Sequence, residues 1–164
     1  LDGLSELESV VIGQQSFRIG GDERSDGSYR IVNCPKLKSI QIGNESCEDY
    51  HSFELNNLPS LQSIEIGDEC FGNVRVFELD GLDELESVVI GRRSFRISDN
   101  ERSDGSYRIV NCPKLKSIQI GGYSFSDYHS FELNNLPLQS IDIGSNCFFS
   151  APSFSLTGLI DGLV

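Results

Sequence analysis

The chain has 164 residues, with 13 Lys and Arg against 25 Asp and Glu, and a formal net charge of −12. Apolar residues make up 38% and aromatics 9%, enough for a packed core and too many for a disordered acidic tail. No apolar run approaches the roughly 20 residues of a membrane helix. An acidic chain without a basic stripe is repelled by phosphate backbones, which argues against nucleic acid as a partner.

Repetition organises the rest. The segment 1–78 returns as 79–155 with about three residues in four identical, so residues 1–164 read as a single repeat array. Within each copy runs a shorter signature, L-x-S-[IV]-x-I-G, beginning at Leu7, Leu37, Leu61, Leu85, Leu115 and Leu138. Its closing glycines are Gly13, Gly43, Gly67, Gly91, Gly121 and Gly144, spaced by 30, 24, 24, 30 and 23 residues.

In chain order, each unit opens with a predicted strand. The branched residues of the signature alternate, as with Ile64 and Ile66 inward and Ser63 and Glu65 outward. Four residues after each glycine stands Phe17, Cys47, Phe71, Phe95, Phe125 or Phe148. A second aromatic column, Tyr29, Phe53, Phe77, Tyr107, Phe131 and Phe154, lies on a second short strand such as Phe53-x-Leu55. Together the columns hold 11 of the 15 aromatics, and a stacked core is their expected role. The position before that strand's last apolar residue holds only Asn or Gly: Gly3, Asn33, Asn57, Gly81, Asn111, Asn135 and Gly158. Either a left-handed backbone or a ladder of side-chain amides accounts for that restriction. The longer units carry polar insertions around 20–25 and 98–103, read as loops.

A unit of 24 residues cannot enclose its own apolar face, whereas stacking successive units about 4.8 Å apart buries every column at once. The expected fold is therefore a β-rich solenoid, a right-handed parallel coil of about six rungs with little or no helix. Apolar rungs at either end predict membership of a longer array, or association through the ends.

The string Leu37-Lys-Ser-Ile40-Gln-Ile42-Gly-Asn-Glu-Ser-Cys47 resembles the leucine-rich-repeat pattern L-x-x-L-x-L-x-x-N-x-L. The 24-residue spacing and the I-G-x-x-[SC]-F run are similar to the irregular BspA-like repeats of bacterial and protist surface proteins. That resemblance implies a non-catalytic scaffold for protein binding or adhesion at the cell surface, with the signature strands on a concave face. A structural reading, a fibre or sheath block assembling end to end, stands beside it.

The outward columns of the signature strands form the candidate binding strip: Ser39, Gln41, Ser63, Glu65, Ser87, Val89, Ser117, Gln119, Ser140 and Asp142, with Ser9 and Val11 continuing it. A hydroxyl-lined strip can receive a protein, a glycan or a second solenoid; serine is also simply small enough for a tightly curved sheet. The expected partners are a protein, or a second copy through the solenoid ends.

Other chemistry finds little support. Cys34, Cys47, Cys70, Cys112 and Cys147 sit in columns shared with Leu, Phe or Ser, lack C-x-x-C spacing, and read as free thiols. His51 and His129 recur in Asp-Tyr-His-Ser-Phe and are expected as exposed turn residues three units apart. The acidic insertions Asp22–Gly27 and Asn100–Gly105 carry oxygens that calcium takes, without the spacing of a calcium loop. No cofactor, metal or catalytic constellation emerges.

Overall fold

A computed structural model describes residues 1–18, 28–48, 50, 52–97 and 105–158. Among these residues the chain forms strands and no helix. The first six are β1 (Ser9–Ile12), β2 (Ser28–Val32), β3 (Ser39–Ile42), β4 (Ser52–Asn56), β5 (Ser63–Ile66) and β6 (Val76–Asp80). The rest are β7 (Ser87–Ile90), β8 (Gly105–Val110), β9 (Ser117–Ile120), β10 (Tyr128–Asn134), β11 (Ser140–Ile143) and β12 (Ser153–Thr157).

Odd and even strands belong to different sheets, and every pairing is parallel. The signature strands form one six-stranded sheet in the order β1-β3-β5-β7-β9-β11. Its register aligns Ser9, Ser39, Ser63, Ser87, Ser117 and Ser140 in one row. The even strands make a pair, β2-β4, and a four-stranded sheet, β12-β10-β8-β6. This is the architecture of a β-rich parallel solenoid, with the core between odd and even strands.

The core is columnar. Rings of Tyr29, Phe53, Phe77, Tyr107, Phe131 and Phe154 stack with near-parallel planes and centroids 4.5–5.4 Å apart. Phe71, Phe95, Phe125 and Phe148 form a second stack, meeting the first edge-on. Both arrangements suit the ring quadrupole. The signature leucines Leu37, Leu61, Leu85 and Leu115 are wholly buried beside them.

The closing glycines set how tightly units approach. A Cβ on Gly91 would lie 2.4 Å from the Gly67 carbonyl carbon and 2.5 Å from the Asp68 nitrogen. Gly43, Gly67, Gly121 and Gly144 face the preceding unit's backbone in the same way. Here glycine is required by proximity, since the backbone N–H of Gly91 bonds the Ile66 carbonyl at 2.7 Å.

The Asn/Gly column answers to both readings at once. Asn33, Asn57, Asn111 and Asn135 have φ of 52–56°, and Gly3, Gly81 and Gly158 of 61–67°. Their side chains also form a ladder: Asn57 donates to Asn33, Asn33 to Asp2, Asn135 to Asn111, and Asn111 to Asp80, at 2.8–3.3 Å.

A second left-handed corner was not evident from residue type. After each glycine, two residues two apart have positive φ: Gln15 and Phe17, Glu45 and Cys47, Glu69 and Phe71, Arg93 and Phe95, Tyr123 and Phe125, Asn146 and Phe148. Each costs roughly 1–2 kcal/mol for a residue with a Cβ. The conformation turns N–H groups along the stack, where the Glu45, Glu69, Arg93 and Tyr123 amides bond carbonyls of the next unit at 2.7–3.0 Å. Between the two left-handed residues lies a Ser or Cys, buried at Ser46, Cys70, Ser94 and Ser124 and half-buried at Ser16 and Cys147. Ser46, Ser94 and Ser124 hydroxyls donate to the Gly13, Gly67 and Gly91 carbonyls, and Cys70 and Cys147 thiols to those of Gly43 and Gly121. Ser and Cys interchange in this column because both are small donors.

One junction differs. β4 and β6 lie side by side, with the Phe53 and Phe77 rings 5.4 Å apart, yet no ladder joins them. The stack sets Glu54 beside Glu78, whereas elsewhere in this row Arg30 faces Glu54 and Arg108 faces Glu78 and Glu132. Like charges in register repel. A cleft of about 420 Å³ opens there between Glu54, Asn56, Val76, Glu78 and Asp80.

Candidate functional site

The anticipated strip is assembled as one surface by the six-stranded sheet. Gln41, Glu65 and Gln119 are exposed in strand centres, and Ser39, Ser63, Ser87, Val89 and Ser117 are half-buried between them. Ser140 and Asp142 stand exposed on β11. The Gln41 amide donates to the Glu65 carboxylate at 3.1 Å. A shallow depression of about 190 Å³ is lined by Val11, Ser39, Gln41, Ser63, Glu65, Ser87 and Val89. Among the described residues, the hydroxyls of Ser9, Ser39, Ser63, Ser87, Ser117 and Ser140 make no side-chain hydrogen bond. They contrast with the corner serines Ser46, Ser94 and Ser124, each of which ties two units together.

A larger feature lies on the left-handed corner. A groove of about 710 Å³ is lined by Glu48, Glu69, Gly72, Arg93, Arg96, Tyr123, Ser126, Asp127, Asn146 and Phe149. These residues come from five successive units, so the groove runs lengthwise, across the strands. Glu48 is paired with Arg18, and Glu69 with Arg93 at 3.1 Å. Asp127 accepts from the Ser126 hydroxyl at 2.8 Å. Tyr123 is 45% exposed and Phe149 81%. The sequence signal for this groove was the divergence between the two copies, where Gln14-Gln15 becomes Arg92-Arg93 and Asn44-Glu45 becomes Gly122-Tyr123.

Most charges are consumed along the stack. Lys36–Glu6, Lys38–Glu8, Lys114–Glu84 and Lys116–Glu86 pair successive units at 2.7–3.0 Å. Arg108 binds Glu78, Asp80 and Glu132 together. Among the described residues, Arg92 and Arg96 are the side-chain cations left without an ion pair or hydrogen bond.

All five cysteines are free thiols, four of them buried. Burial pushes the Cys47 thiol up to about 12 and Cys112 to about 11, from an ordinary 9.0, so neither is a nucleophile at neutral pH. His129 departs from expectation: it sits half-buried within β10, at a register irregularity between Tyr128 and Ser130, its Nδ1 enclosed and without a hydrogen-bond partner among the described residues. His51 and both acidic insertions lie outside the described residues. Among the described residues no group of three or more His, Cys, Asp or Glu is placed to hold a metal ion. Likewise no helix there is long and apolar enough to cross a membrane. Compared with known proteins, the chain matches no family model, no curated protein and no solved structure.

Proposed function

We infer that the chain is a non-catalytic repeat scaffold of the leucine-rich-repeat, BspA-like type, serving protein–protein interaction or adhesion at a cell surface. In this reading the units form about six rungs of a right-handed coil, and the signature strands are its recognition face. The observation that carries it is the row of six outward serine hydroxyls that make no side-chain hydrogen bond among the described residues. Their flatness beside the exposed Gln41, Glu65 and Gln119 gives a partner an ordered polar surface at little entropic cost.

The test places a photo-reactive group at Gln119 and exposes the chain to cell-surface extracts. A discrete protein adduct, lost when Glu65→Lys is added, supports the reading. Absence of any adduct, together with rods that lengthen with concentration in sedimentation velocity, would replace it with the end-to-end building block.

A further inference from the structure

The groove on the left-handed corner has a chemistry of its own. Its members sit on five consecutive units: Glu48, then Glu69 and Gly72, then Arg93 and Arg96, then Tyr123, Ser126 and Asp127, then Asn146 and Phe149. Four steps at the strand spacing make it about 19 Å long, the span of roughly six residues of extended chain. Its volume of about 710 Å³ lies within the range of ligand sites, about 300–1,000 Å³.

Its polar groups are unequally engaged. Glu48 and Glu69 are neutralised by Arg18 and Arg93. Arg96 has no partner among the described residues, on a protein of net charge −12 in which nearly every other described cation is paired. A guanidinium offers a planar fork of donors, and its best complement is a carboxylate. One unit further along, Tyr123 presents an exposed ring, and Phe149 a second one beyond it. Aromatic and arginine side chains are the enriched anchors of protein interfaces. The left-handed backbone at Arg93 and Tyr123, bonded along the stack, makes this edge rigid.

We propose that this groove binds an extended acidic peptide segment, with an Asp or Glu carboxylate on Arg96 and a neighbouring apolar side chain against Tyr123 and Phe149. The spacing of the units places that apolar residue about one to three positions from the carboxylate. An oligosaccharide would need many paired donors and acceptors, whereas the groove offers one open guanidinium beside the two exposed rings of Tyr123 and Phe149, with the Asp127 carboxylate accepting from the Ser126 hydroxyl. The inference rests on the protein-binding reading and assigns it a second surface, away from the serine strip.

The experiment selects phage-displayed random heptapeptides against the whole chain, then titrates the enriched peptides, fluorescently labelled, by anisotropy. Three variants are compared with the parent: Arg96→Glu, Tyr123→Asn and Gln119→Lys. Asparagine is chosen because Asn146 already holds the equivalent left-handed position. All three sites are exposed, and circular dichroism confirms that each variant is folded. Enriched peptides should pair Asp or Glu with a nearby Phe, Tyr or Leu. Arg96→Glu and Tyr123→Asn should each weaken binding by about tenfold or more, and Gln119→Lys should leave it unchanged. Peptides without an acidic residue, or an Arg96→Glu affinity within about twofold of parent, overturn the proposal. So does binding of oligogalacturonate with no peptide enriched. Peptides lost on Gln119→Lys but not on Arg96→Glu overturn the groove while leaving the protein-binding reading of the strip intact.

Discussion

Gly91→Ala isolates the close approach of successive units. The added methyl would sit 2.4 Å from the Gly67 carbonyl carbon and 2.5 Å from both the nitrogen and Oδ1 of Asp68. Backbone cannot move aside as a flexible side chain does, so the two units must separate by roughly 0.5–1 Å, forfeiting a quarter to a half of the dispersion well at each contact. Two bonds lengthen with them, Gly91 N–H to the Ile66 carbonyl at 2.7 Å and Arg92 N–H to Asp68 Oδ1 at 2.7 Å. At about 1 kcal/mol for each bond and 1–3 kcal/mol for overpacking, the loss comes to about 3–5 kcal/mol. Gly72→Ala is the control, because its Cβ would meet nothing nearer than the Arg96 carbonyl at 3.9 Å and its φ is not left-handed. That change should alter stability by less than about 1 kcal/mol. Urea unfolding followed by circular dichroism reads both. Equal midpoints for the two variants would refute the close stacking.

Tyr107→Phe should raise stability by about 1 kcal/mol, since the Tyr107 hydroxyl is buried without a partner among the described residues and Phe already fills the same column. Tyr128→Phe should lower it by about 1–3 kcal/mol, because it orphans the buried Val74 carbonyl that Tyr128 donates to at 2.5 Å; thermal melts compare the two. Cys47 and Cys112 titrate near 12 and 11 when folded and near 9 when unfolded, so the unfolded chain loses its protons first. Stability is then full below pH 9 and falls between about 9 and 12, which urea midpoints across that range will record. Thiol labelling of the native chain at pH 8 should modify half-buried Cys147 first and the four buried cysteines only on unfolding. In hydrogen exchange, the Asn57 amide should exchange faster than those of Asn33, Asn111 and Asn135, which bond carbonyls of the adjacent strand.

The sequence made the columns legible because each column is a repeat of one requirement. Ile at alternate positions, Leu six residues before each closing glycine, and rings at fixed offsets all reflect burial between parallel sheets, and a period survives any uncertainty about exact boundaries. The serine strip followed from the same alternation. Three things were not legible, each for a physical reason. Phe, Glu and Arg at positive φ contradict local propensity, and only the axial hydrogen bonds supplied by neighbouring units offset that cost. The groove gathers single residues from five units, so no local window contains it. The open junction between β4 and β6 depends on which charge meets which across the copies, and Glu54 beside Glu78 is a pairing that the period itself does not single out.

The most direct measurement is a set of electron-spin distances along the outward face, in a Cys147→Ser background. Spin labels at Val11 and, in turn, Val89, Gln119 and Asp142 sit in one registered row. Successive parallel stacking predicts distances of about 14, 19 and 24 Å, rising by one strand spacing per unit although the labels are up to 131 residues apart. Distances that fail to rise in that order would contradict the account.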